Sequence, residues 1–226
     1  MSARPVIAIA ANPALDQAIQ AFLAALKHNG KGAEAYIELM ARITDRMIGL
    51  FMLEPVEIAK ISPAQRKIVD FAVDTGSKAS SMLTAQIYRK TTNAQFAPIA
   101  RDLEKMYWPA GADNGNVPQL YYTPDAMFAR NYQLVIDACA NGHGRAHMEL
   151  VLQVLNRMVD DVLQTFFLAQ TRHVEIGFIT RKALDVSVAA TRAACHAVMS
   201  KVVKDFSDEQ LKDFMSHYAQ VLKQKA

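Results

Sequence analysis

Five helix starts are legible in this chain, and together they decide the class of fold open to it. Ser62-Pro63-Ala64-Gln65 sets a Ser before a Pro, with Gln three residues after the Ser. Thr92-Asn93-Ala94-Gln95 and Ser207-Asp208-Glu209-Gln210 repeat the spacing. In that pattern the hydroxyl accepts from an orphan amide of the first turn, while the Gln side chain reaches back to the cap's own N–H. Asn12-Pro13 and Thr123-Pro124-Asp125 are simpler starts, a cap followed by proline, which needs no amide donor at the first helical position. A β protein has no use for so many such signals.

The apolar spacing agrees. Leu15, Ile19, Phe22 and Leu26 recur at steps of four, three and four, and Tyr36, Met40, Ile43 and Met47 keep the same rhythm. Phe96 to Met106, Phe128 to Cys139 and Leu211 to Val221 carry similar stripes. Each keeps one helical face against a core. No segment shows sustained strand alternation, so no strand is expected.

Two stretches predict longer helices. From about Arg145 to Arg172 the apolar face is wide, and the helix would run about 40 Å. From about Arg181 to Phe206 a second long helix carries Ala189, Ala190, Ala193, Ala194 and Ala197, which admit a close neighbour. The turn between them is placed near Gly177. Asn29-Gly30 and Asn141-Gly142 mark helix ends. Gly76-Ser77 and Ala79-Ser80-Ser81 predict a kink or a close helix crossing rather than room for a substrate. The expected fold is therefore all-α, a single domain of seven or eight helices over 1–226. Its C-terminal half is read as an antiparallel helical bundle, and 109–123 marks the place for any division between it and an N-terminal helical layer.

That stretch, Pro109 to Thr123, is the one long irregular segment, with Pro118, Gly111 and Gly115 arguing against helix. Roughly fifteen structureless residues are uncommon in a compact domain and are often functional. Trp108, Tyr121 and Tyr122 flank it and offer large contact area, as a ligand lid or as a cover for one end of the bundle.

His143-Gly144-Arg145-Ala146-His147 is the sharpest constellation, since histidines four apart share a helical face and suit a metal. Asn141-Gly142 puts His143 at or outside the helix start, and the only further ligands in view, His173 and Glu175, fall at the far end of a long helix. A surface cap is the preferred reading, with no metal and no cofactor expected. Asp160-Asp161 lacks the further acids of a magnesium site and reads as a solvated face, and His196 as a satisfied histidine. No phosphate-binding glycine loop, Cys-x-x-Cys or nucleophile motif occurs.

Composition narrows the rest. A net charge of +3, with acids interleaved among Lys201, Lys204, Lys212 and their neighbours, disfavours nucleic acid. Cys139 and Cys195 are too few for a disulfide framework and read as two buried thiols in a reducing compartment. The apolar run Val6 to Ala11 is too short for a signal peptide, and Met47 to Leu53 is too short to span a bilayer. A cytoplasmic location follows. Eleven methionines fit core packing first and an adaptable binding surface second. The leading functional expectation is a non-catalytic interaction or regulatory protein acting as a homo-oligomer, its excess apolar helix faces forming the interface. The alternative is a protein, catalytic or not, with an apolar pocket between helices, lidded by 109–123, with Trp108, Tyr121, Tyr122, Arg145 and His147 at the site. A coat on a lipid or granule surface ranks last, for want of a strongly basic helix face.

Overall fold

The computed structural model describes residues 4–225. The chain is all-α in class, with a small sheet added. β1 (Arg4–Ala10) leads into α1 (Pro13–Lys27), and α2 (Gly32–Ile48) passes through a π-helical stretch, Gly49–Leu53, into α3 (Glu54–Ile58) without a break. α4 (Pro63–Tyr88) and α5 (Asn93–Met106) follow, then β2 (Tyr107–Trp108), β3 (Gln119–Tyr122) and α6 (Ala126–Ala140). α7 (Met148–Val162), a second π stretch at Leu163–Leu168 and α8 (Ala169–Thr171) again form one helical run. α9 (Phe178–Lys201), α10 (Asp208–Ala219) and β4 (Leu222–Lys225) complete the chain.

Local chemistry explains the starts. The capping boxes at Ser62/Gln65, Thr92/Gln95 and Ser207/Gln210 are all formed, and Asn12 accepts from the Leu15 amide. At the fifth start the cap is Asp125, not Thr123, because the Asp125 carboxylate reaches the Phe128 amide at 2.8 Å. Pro124 then lies just outside the helix. The long helix expected from Arg145 begins with a 3-10 turn, Arg145–His147, and the next one starts at Gly177 as its cap.

Four strands form where none was expected. The sheet order is β2-β3-β1-β4, antiparallel throughout, with Ile7 opposite both Tyr122 and Leu222. β1 lies second from one edge and is buried on both faces, so its apolar run shows no alternation to read. Ile7 and Ile9 face the helices and join the main core, while Val6 and Ala8 pack on the other face with Trp108 and Tyr121. The segment 109–118 is a loop folded around its own side chains. Buried Asn114 accepts from the Gly111 amide at 2.9 Å and donates to the Pro109 carbonyl at 2.8 Å, and Gly115 takes the left-handed conformation at φ 75°.

The first π stretch has a sequence cause. Pro55 has no amide to give the Phe51 carbonyl one turn back, and its ring crowds that carbonyl. The backbone widens instead, so that the Glu54 amide bonds Gly49 five residues back. Leu50 thereby loses the Glu54 amide as its regular i+4 donor, and Phe51 has no amide at residue 55 to accept from. α10 supplies a partner to each: His217 Nε2 lies 2.8 Å from the Leu50 oxygen, and the Tyr218 hydroxyl donates to Phe51 at 2.7 Å. Buried carbonyls without such partners would be costly.

Helix α9 runs antiparallel along α4. Gly76 faces Thr191 at the crossing, and Gln86 Nε2 donates to Thr180 Oγ1 at 3.3 Å farther along. One continuous cluster of buried side chains extends from Ile7 to Val221.

Candidate functional site

Helices α2, α4, α9 and α7 surround an apolar cavity whose floor is completed by both π stretches and Tyr218. On α4 its lining runs from Ala72 to Tyr88, about 24 Å along the helix axis. The interior space is about 130 Å³.

The lining follows from the sequence residue by residue. Small side chains on α4, Gly76, Ala79 and Ser80, leave the gap, and Ser187, Thr191 and Cys195 on α9 do not fill it from the facing side. Met40, Met47, Met52, Met158 and Met199 all line it, five of the eleven methionines in the chain. Unbranched, polarisable Met side chains adapt their shape to a guest. Both π stretches contribute, through Phe51 and Met52 from the first and Leu163 and Phe167 from the second. π turns in α-helices recur at functional sites because they displace side chains from the regular face.

The polar groups of the lining are neutral hydroxyls and one thiol. Thr44 Oγ1 and Ser80 Oγ share a hydrogen bond of 2.6 Å, and Thr44 also donates to the Met40 carbonyl. Burial pushes the Tyr88 phenol up to about 12 and holds that of Tyr218 well above its ordinary value. Burial, helped by the nearby Asp160 carboxylate, pushes the Cys195 thiol up to about 11, so it stays protonated at neutral pH. No Asp, Glu, Lys, Arg or His lines the cavity. The arrangement is suited to holding apolar matter; it presents no acid–base pair and no activated nucleophile.

The residues singled out from the sequence sit elsewhere. Trp108 and Tyr121 do come together on the outer face of the sheet, edge to face with ring centroids 6.1 Å apart. Lys225 Nζ lies 3.8 Å from the Tyr121 centroid and 5.1 Å from that of Trp108, a cation–π arrangement. The Trp108 indole donates to Asp113 at 3.2 Å. Tyr122 points the opposite way, against Phe166 at 6.3 Å, and burial holds its phenol well above the ordinary value. Arg145 ties the start of the α7 run to that of α10, its amide donating to Asp208 and its guanidinium to the Phe206 carbonyl at 2.8 Å. His143 and His147 are both exposed, His143 in the turn after α6 and His147 at the cap of α7. None of these residues lines the cavity.

Other polar clusters are ion pairs. Among the described residues, no three His, Cys, Asp or Glu side chains group to hold a metal ion. His173 lies 2.8 Å from Asp102, which Arg172 also reaches at 2.7 Å. Asp160 pairs with Arg192 at 2.7 Å and Asp161 with Arg157 at 2.8 Å.

The sequence offered an apolar pocket between helices only as an alternative, and pointed for it to residues beside 109–123 rather than to those that line this cavity. Its signals were present in the methionine excess and in the small residues of α4, but both have packing explanations that are equally visible. No protein-family model, no curated protein and no solved structure matches this chain.

Proposed function

We propose that this protein is a non-catalytic binding protein for a long, unbranched apolar molecule such as a fatty acyl chain. The observation that carries the reading is the charge-free, methionine-lined apolar cavity whose lining follows α4 from Ala72 to Tyr88. An apolar void of this kind stays dry and takes apolar guests. Each methylene buried contributes about 0.8 kcal/mol, so about ten of them supply roughly 8 kcal/mol, the scale of micromolar binding. The two free cysteines and the mild net charge support a cytoplasmic setting without nucleic-acid partners.

The test is uptake of cis-parinaric acid, whose fluorescence rises in an apolar site, by the wild type and by Ala79→Phe and Val188→Phe. Saturable enhancement in the wild type, lost in both filled variants while their melting temperatures hold or rise, is the expected result. Equal uptake by all three, or none by the wild type, refutes the reading.

A second reading, an interaction protein acting as a homo-oligomer, is favoured by a separate observation. Phe71 and Met82 on α4 and Val186 on α9 are exposed, and an intersubunit contact would bury them. Sedimentation velocity at micromolar concentration decides it: a strictly monomeric particle removes this reading and leaves the first untouched.

A further inference from the structure

Phe178 and Ile179 open α9 and are 82% and 80% exposed, the two most exposed large apolar side chains among the described residues. Scattered surface hydrophobics are ordinary, but these two are adjacent and set among cations. Arg181 and Lys182 follow on the same turn. The antiparallel packing, with Gln86 bonded to Thr180, sets Arg89 and Lys90, the two residues after α4, at the same end of the helix pair as the start of α9. All four cations are exposed, and none makes an ion pair among the described residues. The acids nearest in sequence are Glu175 and Asp185, which leaves the tip with a positive balance. This is the pattern that seats an apolar wedge in an anionic lipid interface, with basic side chains at headgroup level. The cavity begins close by. Leu184, which lines it, is six residues past Phe178, about 9 Å along α9.

From this juxtaposition we infer that the α4–α9 tip docks on an anionic lipid surface, from whose leaflet the cavity takes its chain. The inference rests on the acyl-binding reading for the fate of the chain, whereas the docking itself stands on the tip alone.

The experiment is co-sedimentation of the full chain with vesicles of phosphatidylcholine alone and of phosphatidylcholine with phosphatidylglycerol. Three proteins are compared: the wild type, Phe178→Asp/Ile179→Asp and Arg181→Glu/Lys182→Glu. These side chains are exposed, so both double variants should fold, which circular dichroism checks. The wild type is expected to bind the anionic vesicles and not the neutral ones, with affinity falling as salt rises. Each double variant should bind at least tenfold more weakly, yet take up cis-parinaric acid from solution as the wild type does. Equal vesicle binding by all three proteins overturns the docking, as does equal affinity for neutral and anionic vesicles. So does a wild-type dimer that ignores vesicles and that Phe178→Asp/Ile179→Asp splits into monomers, since the tip then joins two copies. Loss of probe uptake by the wild type, with vesicle binding intact, refutes the cavity reading and leaves the docking standing.

Discussion

If Pro55 creates the first π stretch and α10 repairs it, then removing the repair should hurt only while the proline is present. Tyr218→Phe deletes the hydroxyl that donates to the Phe51 carbonyl at 2.7 Å and leaves the ring, stacked on Phe51 at 6.0 Å, in place. The Phe51 carbonyl then loses the donor that stands in for the missing residue-55 amide, which costs about 1–3 kcal/mol. For a chain of this length that lowers the melting temperature by about 2–4 °C per kcal/mol, so about 4–8 °C at the middle of the range. In a Pro55→Ala background, residue 55 regains an N–H, and the regular bond back to Phe51 becomes available. The Tyr218→Phe cost should then fall below about 0.5 kcal/mol, the non-additivity expected of two residues that act on one carbonyl. Urea denaturation of the wild type, both single variants and the double variant closes the cycle. If Tyr218→Phe costs the same in both backgrounds, the carbonyl is not what the hydroxyl serves, and the account of the π stretch fails.

Gly144→Ala should destabilise by about 1–3 kcal/mol in thermal melts, since its Cβ would meet Leu211 Cδ1 at 2.9 Å and Cys139 Sγ at 3.0 Å inside the core. Its backbone is ordinary at φ -59°, so the cost is one of space. Cys139 gives an alkaline limb. Burial, with Asp208 nearby, lifts its thiol from 9.0 to about 11. A raised value means its stabilisation is complete below about pH 9 and lost as pH rises towards 11, and Cys139→Ser should blunt that loss in melts taken across the range. Partial burial works to raise the Asp102 carboxyl, but donors from His173, Arg172 and Lys105 outweigh it and bring it from 3.8 to about 2. Its contribution is present above about pH 4 and lost as pH falls towards 2, so Asp102→Asn should flatten the acid limb of the same melts.

The parts of this fold that were legible are those settled within a few residues. A capping box closes over four positions, and Ser62, Thr92 and Ser207 all form theirs. The strands were not legible, because each depends on a distant partner. β4, Leu222-Lys-Gln-Lys, has no strand pattern of its own and exists through pairing with β1, more than two hundred residues earlier. The cavity was hidden for a related reason. Met40, Met47 and Met158 sit on regular apolar stripes, and a stripe looks the same whether its helices interdigitate or leave a gap. The aromatic residues beside the 109–118 loop drew attention by type, yet Trp108 and Tyr121 are committed to the outer face of the sheet.

The cavity is costly to keep. At about 24 cal/mol per Å³, a void of 130 Å³ forgoes about 3 kcal/mol. That is a sizeable part of the 5–15 kcal/mol that holds a typical domain together. The opening is easily narrowed, because a Cβ at Gly76 would meet only Thr191 Cγ2, at an ordinary contact distance of 3.6 Å. Glycine in mid-helix costs roughly 1 kcal/mol relative to alanine, so Gly76→Ala should raise the melting temperature by about 2–4 °C. If the cavity serves only packing, nothing else should change. If it holds a chain, the added methyl narrows it on the α4 side, and affinity for cis-parinaric acid should fall as stability rises. Opposite movement of the two in one variant is the signature of a gap maintained for a ligand, and a stabilised Gly76→Ala with undiminished uptake would refute it.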